Sequence, residues 1–471
     1  MKSITLSLAI ILIGSLACLA QTKKMQPIKV GAAKLNITPS KEELGANSLG
    51  IHDSVYCRAI VIDNGVTGSA LVTVSGNQDE RSWKAATQRI EKELGIPAVN
   101  IVVSSTHSHS VGRIQKIDEK IFTAVKEAKA KMQPARIGWG TGVSYINVKR
   151  DLIDPKTRTW WEGPNYDGPA DRKVYVISFE ALDGTPIAVY YNYAMHAVLM
   201  GQYDMISDDA PGATSRYIEN SYDNKMVAVW SEGACGDINP IYFQQTFDLR
   251  DIRIKDYAKR GEDISNAMPP GGVGLDRKDP TVQKLMKEQE SITNAMGVML
   301  GEEVKHVMRR IERPEDKITI KADQKVLKFP GRRRTNQGRG GVDGTYVDAD
   351  SVTVRVGVLL LGDIALGTVN GETYNQIARQ FMKESPYART MMVTIANGSA
   401  TTGYIPDDAS FGQNVFEVLS SRLKPGYAER GIIDGIVYFG RKKAVKKGTN
   451  DPNAETTSKP VSLKTLCTFC C

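Results

Sequence analysis

Two of the five histidines in this 471-residue chain stand two positions apart, His107 and His109, in the stretch VVSSTHSHS at 102–110. The β-branched run before them predicts a strand that ends there. On an extended backbone alternate side chains point the same way, so both imidazoles would share one side. A third histidine, His196, closes another apolar run in VYYNYAMHAVLMG and is followed by ISDDAPG, where Ser207, Asp208 and Asp209 precede a helical pattern as N-cap residues would. The run VAVWSEGACGDINP leads into a small-residue turn at 233–240, a bend that lets backbone N–H groups approach a ligand. Glu372 follows Gly371 at an expected helix start in VNGETYNQIARQF, and Tyr404 follows a glycine-rich turn in NGSATTGYIP. Taken singly, Glu372 reads as a dipole-compensating residue and Tyr404 as a buried or rim phenol. Taken together, strand ends carrying nitrogens, a carboxylate and a phenol form a donor set that suits zinc, with a position left for water. The chemistry that follows is one-metal hydrolysis.

These residues converge only if strand ends gather at one place, as they do in open α/β sheets. Strand-like runs at 28–33, 59–62, 70–74, 101–105, 174–179, 187–193 and 226–230 are interleaved with helical spacing at 83–94, 117–132, 213–222, 282–311 and 373–383. Further strand runs at 318–327, 352–361, 364–369 and 391–396 continue the same character, with no compositional break. The order predicts an α/β protein, a single large domain over 28–440 with mixed sheet or sheets flanked by helices. The Pro/Gly-rich piece at 268–274 and the Gly/Arg-rich piece at 331–343 read as surface loops. A polar tail is expected over 441–471, and no internal repeat is present.

Composition places the chain among ordinary globular proteins, with 41% hydrophobic and 24% charged residues. The net charge of +8 includes two basic stretches, RRRTNQGR at 332–339 and RKKAVKK at 441–447. Neither interleaves aromatics, so both read as solvated loop or tail, and no nucleic-acid partner is expected. Residues 1–20 have the layout of a secretory signal peptide, with cleavage after Ala20 or, alternatively, acylation at Cys18. The expected location is periplasmic or secreted. No later run is long and apolar enough to span a membrane, which leaves peripheral contact or an acyl anchor at Cys18 as the membrane roles. Cys57 and Cys235 read as small buried residues or as a disulfide, and Cys467, Cys470 and Cys471 as a terminal group of no structural importance.

Across 28–440 the motifs VGAAKLNITPS, STHSHS, NVKRD, NYAMHAVLMG with ISDDAPG, GACGDINP, VNGET and NGSATTGYIP occur in the order found in one family. The chain resembles the neutral/alkaline non-lysosomal ceramidases in their N-terminal catalytic domain, without the C-terminal immunoglobulin-like domain. The resemblance implies a zinc ion held by His107, His196, Glu372 and Tyr404. It also implies His109 as a proton-handling or substrate-contacting neighbour and Arg150 as an active-site arginine, with Tyr404 also at the reacting centre. The implied function is hydrolysis of a linear amide, an N-acyl bond of a lipid-like or other small substrate as in sphingolipid metabolism, by metal-activated water. Three features depart from the family pattern: Asn239 in GDINP replaces a serine of GDVSP, Val111 and Gly112 replace the Gly-Pro that follows the histidine motif, and the immunoglobulin-like region has no counterpart. Asn239 favours one alternative, a zinc hydrolase of a non-lipid amide or ester such as a sugar-linked group; a second, a binding protein that keeps the metal site without catalysis, is opposed by the presence of His109 and Arg150.

Overall fold

Every residue of GSALVTV and IVVSS is buried, which requires strands covered on both faces. In the computed structural model, which describes residues 26–265, 271–312 and 314–445, these strands close one half of an eight-stranded sheet. That half comprises β1 (Lys29–Asn36), β2 (Tyr56–Asp63), β3 (Gly68–Val74) and β4 (Ile101–Ser105), with α1 (Glu80–Leu94) and α2 (Ile117–Ala130) on its outer face. The strand β5 (Gln133–Val143) crosses to the other half. It meets β1 only through Lys29↔Pro134 and Val30↔Gln133, and the rest of its length pairs with a later strand.

The hairpin β6 (Asn147–Ile153) and β7 (Trp160–Asn165) leaves the sheet, and the chain returns as β8 (Lys173–Ala181) and β9 (Pro186–Tyr193). The helix α3 (Asp209–Asn220) then leads to β10 (Val227–Glu232), which pairs parallel to β9. A short β11 (Ile238–Pro240) joins β6 and β7, and α4 (Gln244–Lys259) and the long α5 (Pro280–Arg309) follow. The sheet order is β10-β9-β8-β5-β1-β2-β3-β4. Its two ends fold over each other, because one core cluster joins Ile60, Leu71 and Val102 of the first half to Phe179, Tyr190 and Val229 of the second. The result is a sandwich with helices on both outer faces, α1 and α2 on one side and α3 and α5 on the other.

A second sheet is built from β12 (Ile320–Arg334), β13 (Tyr346–Leu361), β14 (Ile364–Val369) and a later strand. Between them lie the two-residue β15 (Glu372–Thr373) and α6 (Asn375–Glu384), followed by β16 (Arg389–Val393) at the sheet edge. The chain ends in β17 (Tyr404–Ile405), α7 (Phe416–Ser420) and α8 (Ala428–Val445). Helix ends follow local chemistry. Asp79 caps α1 by accepting from the Ser82 N–H, Gly95 closes it at φ 69°, and Asp279 caps α5 just before Pro280.

The expected mixed α/β architecture is therefore present. Several finer expectations are not. The piece read as a surface loop at 331–343 starts inside β12, and Arg332 is 7% exposed. Its guanidinium stacks on Tyr346 and donates to the Val418 and Ser421 carbonyls, so partners distant in sequence overcome its charge. Asp208 precedes α3 but makes no side-chain cap. Cys57 and Cys235 are buried free thiols, which removes the disulfide alternative. Residues 1–25 and 446–471, with the leader, Cys18 and the terminal cysteines, lie outside the described residues, and α8 continues to Val445, inside the segment read as tail. No described helix is long and apolar enough to cross a membrane.

Candidate metal centre

β4 ends at Ser105, and the next residues make a tight loop. His107 adopts φ 57°, its N–H donates to the Gly76 carbonyl, and the Thr106 hydroxyl accepts from the Gly76 N–H. The left-handed turn, an uncommon conformation for a non-glycine residue, aims the imidazole into a cavity. This corrects the extended-strand picture: His107 and His109 approach each other, ring centroids 5.0 Å apart, because the chain curls. The Nδ1 of His107 is 2.9 Å from Asn77 Oδ1, and its Nε2 is buried without a hydrogen-bond partner.

His196 lies three residues past β9 and is fully buried. Its N–H donates to the Ile238 carbonyl, and its Nδ1 donates to the Cys235 carbonyl at 2.7 Å. A carbonyl only accepts, so the proton is on Nδ1 and Nε2 carries the lone pair. Burial, and then the charge of Arg150, lower the pKa of His196 to about 4, which keeps the ring neutral.

Glu372 is not in the first turn of a helix. It forms β15, and α6 starts at Asn375, where the Asn375 side chain is bound to the Ala234 and Asp171 backbone. In β15 it pairs parallel with β17, so Glu372 lies directly beside Tyr404. Glu372 Oε2 is 3.2 Å from Nε2 of both His107 and His196. Burial would raise the Glu372 pKa, but the two imidazoles outweigh it and hold the carboxyl well below its ordinary range. Tyr404 is 8% exposed, its ring 6.3 Å from that of His196, and burial raises its phenol pKa well above 10.

The donor chemistry fits a cation. His107 and His196 each commit Nδ1 to an oxygen, Asn77 Oδ1 and the Cys235 carbonyl, and turn Nε2 onto the same Glu372 carboxylate oxygen. Three electron-rich atoms so placed repel unless a positive centre joins them. His107, His109 and His196 also form a cluster whose ligand nitrogens lie within 4.8 Å of one another. His107, His196 and Glu372 are thus the residues that could hold a metal, with Tyr404 and His109 beside them. His107, His109, Glu372 and Tyr404 line a cavity of about 1000 Å³. His109 faces that space. The surrounding protein and the two neighbouring imidazoles hold its pKa well below the ordinary value.

Arg150, on β6, is 3% exposed and its guanidinium is 5.4 Å from the Tyr404 ring. It makes an ion pair with Glu417 at 2.5 Å and donates to the Gly236 carbonyl at 2.7 Å and to Asn239 Oδ1 at 3.1 Å. Asn239 in turn donates to Glu162 at 3.3 Å, and Glu162 accepts from Arg339 at 3.0 Å. Asn239 is therefore held at both ends between Arg150 and Glu162. All six site residues singled out in the sequence, His107, His109, Arg150, His196, Glu372 and Tyr404, with Asn239, gather around this one centre. Sequence reading missed Asn77, Glu162, Glu417 and Gln202. Glu417 sits in an ordinary amphipathic run, and nothing local marks it. Gln202 is 7% exposed on a cavity wall shared with His109 and Arg150, with its amide oxygen unpartnered.

Curated proteins similar in sequence include two neutral ceramidases. Neutral ceramidase of Pseudomonas aeruginosa is 24% identical over 282 residues, 50% of this chain and 42% of that protein. Neutral ceramidase B of Dictyostelium discoideum is 24% identical over 253 residues, 45% of this chain and 35% of that protein. The matches thus span less than half the length of either relative. Solved structures of a ceramidase complexed with C2 and of the Pseudomonas aeruginosa neutral ceramidase share the fold. Their TM-scores are 0.65 and 0.64 at 16% identity, over 89% of this chain and 76% and 75% of theirs. No family model matches the chain. Sequence and fold together make this chain neutral ceramidase-like.

Proposed function

We propose that the chain is an exported zinc-dependent hydrolase that cleaves a linear amide, an N-acyl bond, in the cavity between His109, Arg150 and Tyr404. The observation that carries this reading is the convergence of two Nε2 lone pairs and the Glu372 carboxylate at 3.2 Å. His107, His196 and Glu372, with Tyr404 beside them, would hold the ion. When bound, zinc would polarise the amide carbonyl and lower the pKa of water towards about 7.

The chain's own residues would do the rest. Arg150, kept charged by Glu417, presents a fixed cation to the carbonyl side of the substrate. Gln202 offers its unpartnered amide oxygen to the substrate N–H. His109, neutral and facing the cavity, takes a proton at its free ring nitrogen and returns it to the departing amine. Asn239 has no hydroxyl to attack with and is bound at both ends, so it orients Arg150 and Glu162 rather than acting as a nucleophile. The leader-like layout of residues 1–20 supports export.

The test is metal content and amide turnover on the mature chain. One zinc per chain and hydrolysis that chelator abolishes and zinc restores are expected, with both lost in His107→Ala and His196→Ala. Unchanged metal stoichiometry in those variants would overturn the assignment. Zinc binding without turnover across a panel of amides and esters would favour a binding protein instead.

A further inference from the structure

The active-site cavity has a branch of about 160 Å³ that runs from His109, Arg150 and Tyr404 to two further arginines, Arg250 and Arg339. Arg250 comes from α4, and Arg339 from the Gly/Arg-rich segment after β12 that reads in sequence as a solvated loop. Arg339 turns inward, 20% exposed, with its guanidinium 4.5 Å from the Phe416 ring centroid and in an ion pair with Glu162. Arg250 donates to the Ser265 carbonyl and has no carboxylate within ion-pair distance among the described residues. Phe243, Phe247 and Phe416 form the apolar walls.

The arginines of this branch are not equally paired. Arg150, Arg250 and Arg339 line it with one carboxylate, Glu162, which pairs with both Arg150 and Arg339. Arg250 has no such partner among the described residues, in a partly enclosed site where charge is poorly screened. Burial, followed by the like charge of Arg339, lowers the pKa of Arg250 against the opposing charges of Glu162 and Asp251, and an anion placed between the two arginines would favour both charges. Guanidinium groups match carboxylate geometry through paired N–H donors.

We propose that Arg250 and Arg339 form an anion-recognition subsite, so that the amide cleaved carries a carboxylate on the half that occupies this branch. The proposal rests on the hydrolase reading and names its substrate class: an N-acylated amino acid or a similar acidic amide, rather than a neutral one. Arg250 and Arg339 determine specificity and take no part in bond breaking. The reaction remains hydrolysis, in which water adds across the C–N bond to give a carboxylic acid and an amine.

The experiment offers the zinc-loaded protein N-octanoylglycine and N-octanoylethanolamine, which share an acyl chain and differ in the charge of the amine half. The expected result is a kcat/KM about tenfold or more higher for the glycine amide, carried mainly by KM. In Arg250→Gln and in Arg339→Gln that ratio should fall by about tenfold, and Arg250→Lys should give an intermediate ratio. Thermal melts confirm that the variants fold. If both amides are cleaved with equal kcat/KM, or the variants keep the wild-type ratio, the subsite is refuted while hydrolysis stands. If neither amide is cleaved, calorimetric titration of N-octanoylglycine decides: binding that weakens in Arg250→Gln supports the subsite without the reaction, and no binding refutes it.

Discussion

Gly236 shows how closely the metal centre depends on backbone packing outside the ligands. Its N–H donates to the Thr373 carbonyl, and a Cβ added there would lie 2.9 Å from the Thr373 carbonyl carbon and 3.0 Å from the Glu372 carbonyl oxygen. Both obstacles are backbone, so they cannot rotate away. Restoring ordinary contact at about 3.4 Å requires the chain at 372–373 to retreat by roughly 0.5 Å. Ligand bonds in a metal site tolerate about 0.2 Å, so that shift exceeds what Glu372 can absorb while His107 and His196 stay in place. Gly236→Ala should therefore weaken zinc binding by about 10- to 100-fold and destabilise the apo protein by about 1–3 kcal/mol, with no ligand altered. Competition against a chromogenic chelator measures the first, and urea unfolding of the metal-free protein the second. Gly412→Ala, where a Cβ would meet nothing within 4 Å, is the matched control. A Gly236→Ala protein with wild-type zinc affinity would refute the reasoning.

Other expectations follow from single contacts. Asn77→Ala removes the acceptor that sets the His107 ring, and should weaken zinc about tenfold or more in the same competition assay without changing stoichiometry. Glu219 is fully buried and paired with Arg58 at 2.9 Å and Lys34 at 2.8 Å, so Glu219→Gln leaves the buried Arg58 guanidinium with only the longer pair to Asp208 at 3.6 Å and should cost about 3 kcal/mol in urea unfolding. His52 has its pKa raised above 6.5, first by the hydrogen bond to Asp53 against the opposing effect of burial. A raised imidazole pKa stabilises the fold fully below 6.5 and loses that contribution as pH rises through the folded value. The melting-temperature gap between wild type and His52→Gln should accordingly be largest on the acid side and close as pH rises. A gap that widens with pH would contradict this.

What could be read from the sequence was local. A β-branched run that stops at a polar or glycine-rich turn announces a strand end, and four such ends carry His107, His196, Glu372 and Tyr404. The mixed sheet flanked by helices follows from their order. Two kinds of information were not local. Strand pairing was one: period-two patterning does not say that β4 and β10 occupy opposite edges of one sheet, nor that the sheet folds over itself. Partner identity was the other. Glu417 meets Arg150 from far along the chain and Glu162 from the paired strand of the same hairpin, and Arg332 and Arg339 are drawn inward by aromatic faces that no spacing rule connects to them. β5 escaped because glycine and polar residues interrupt QPARIGWGTGV, and α4 because QQTFDLRDIRIKDYAK has little apolar periodicity. The turn at His107 is a backbone feature with no residue-type signature, since left-handed φ at a histidine is imposed by its surroundings.

The narrow seam between β1 and β5, two register pairs wide, carries a thermodynamic consequence. His107 belongs to the half of the molecule on one side of it and His196 to the half on the other, while Glu372 comes from the separate two-stranded ladder of β15 and β17. An ion held by all three would act as a rivet through these layers, absent from any state in which they have parted. By mass action its affinity is then added to the docking equilibrium, so a saturated centre would suppress opening along the seam by the factor 1 + [L]/Kd.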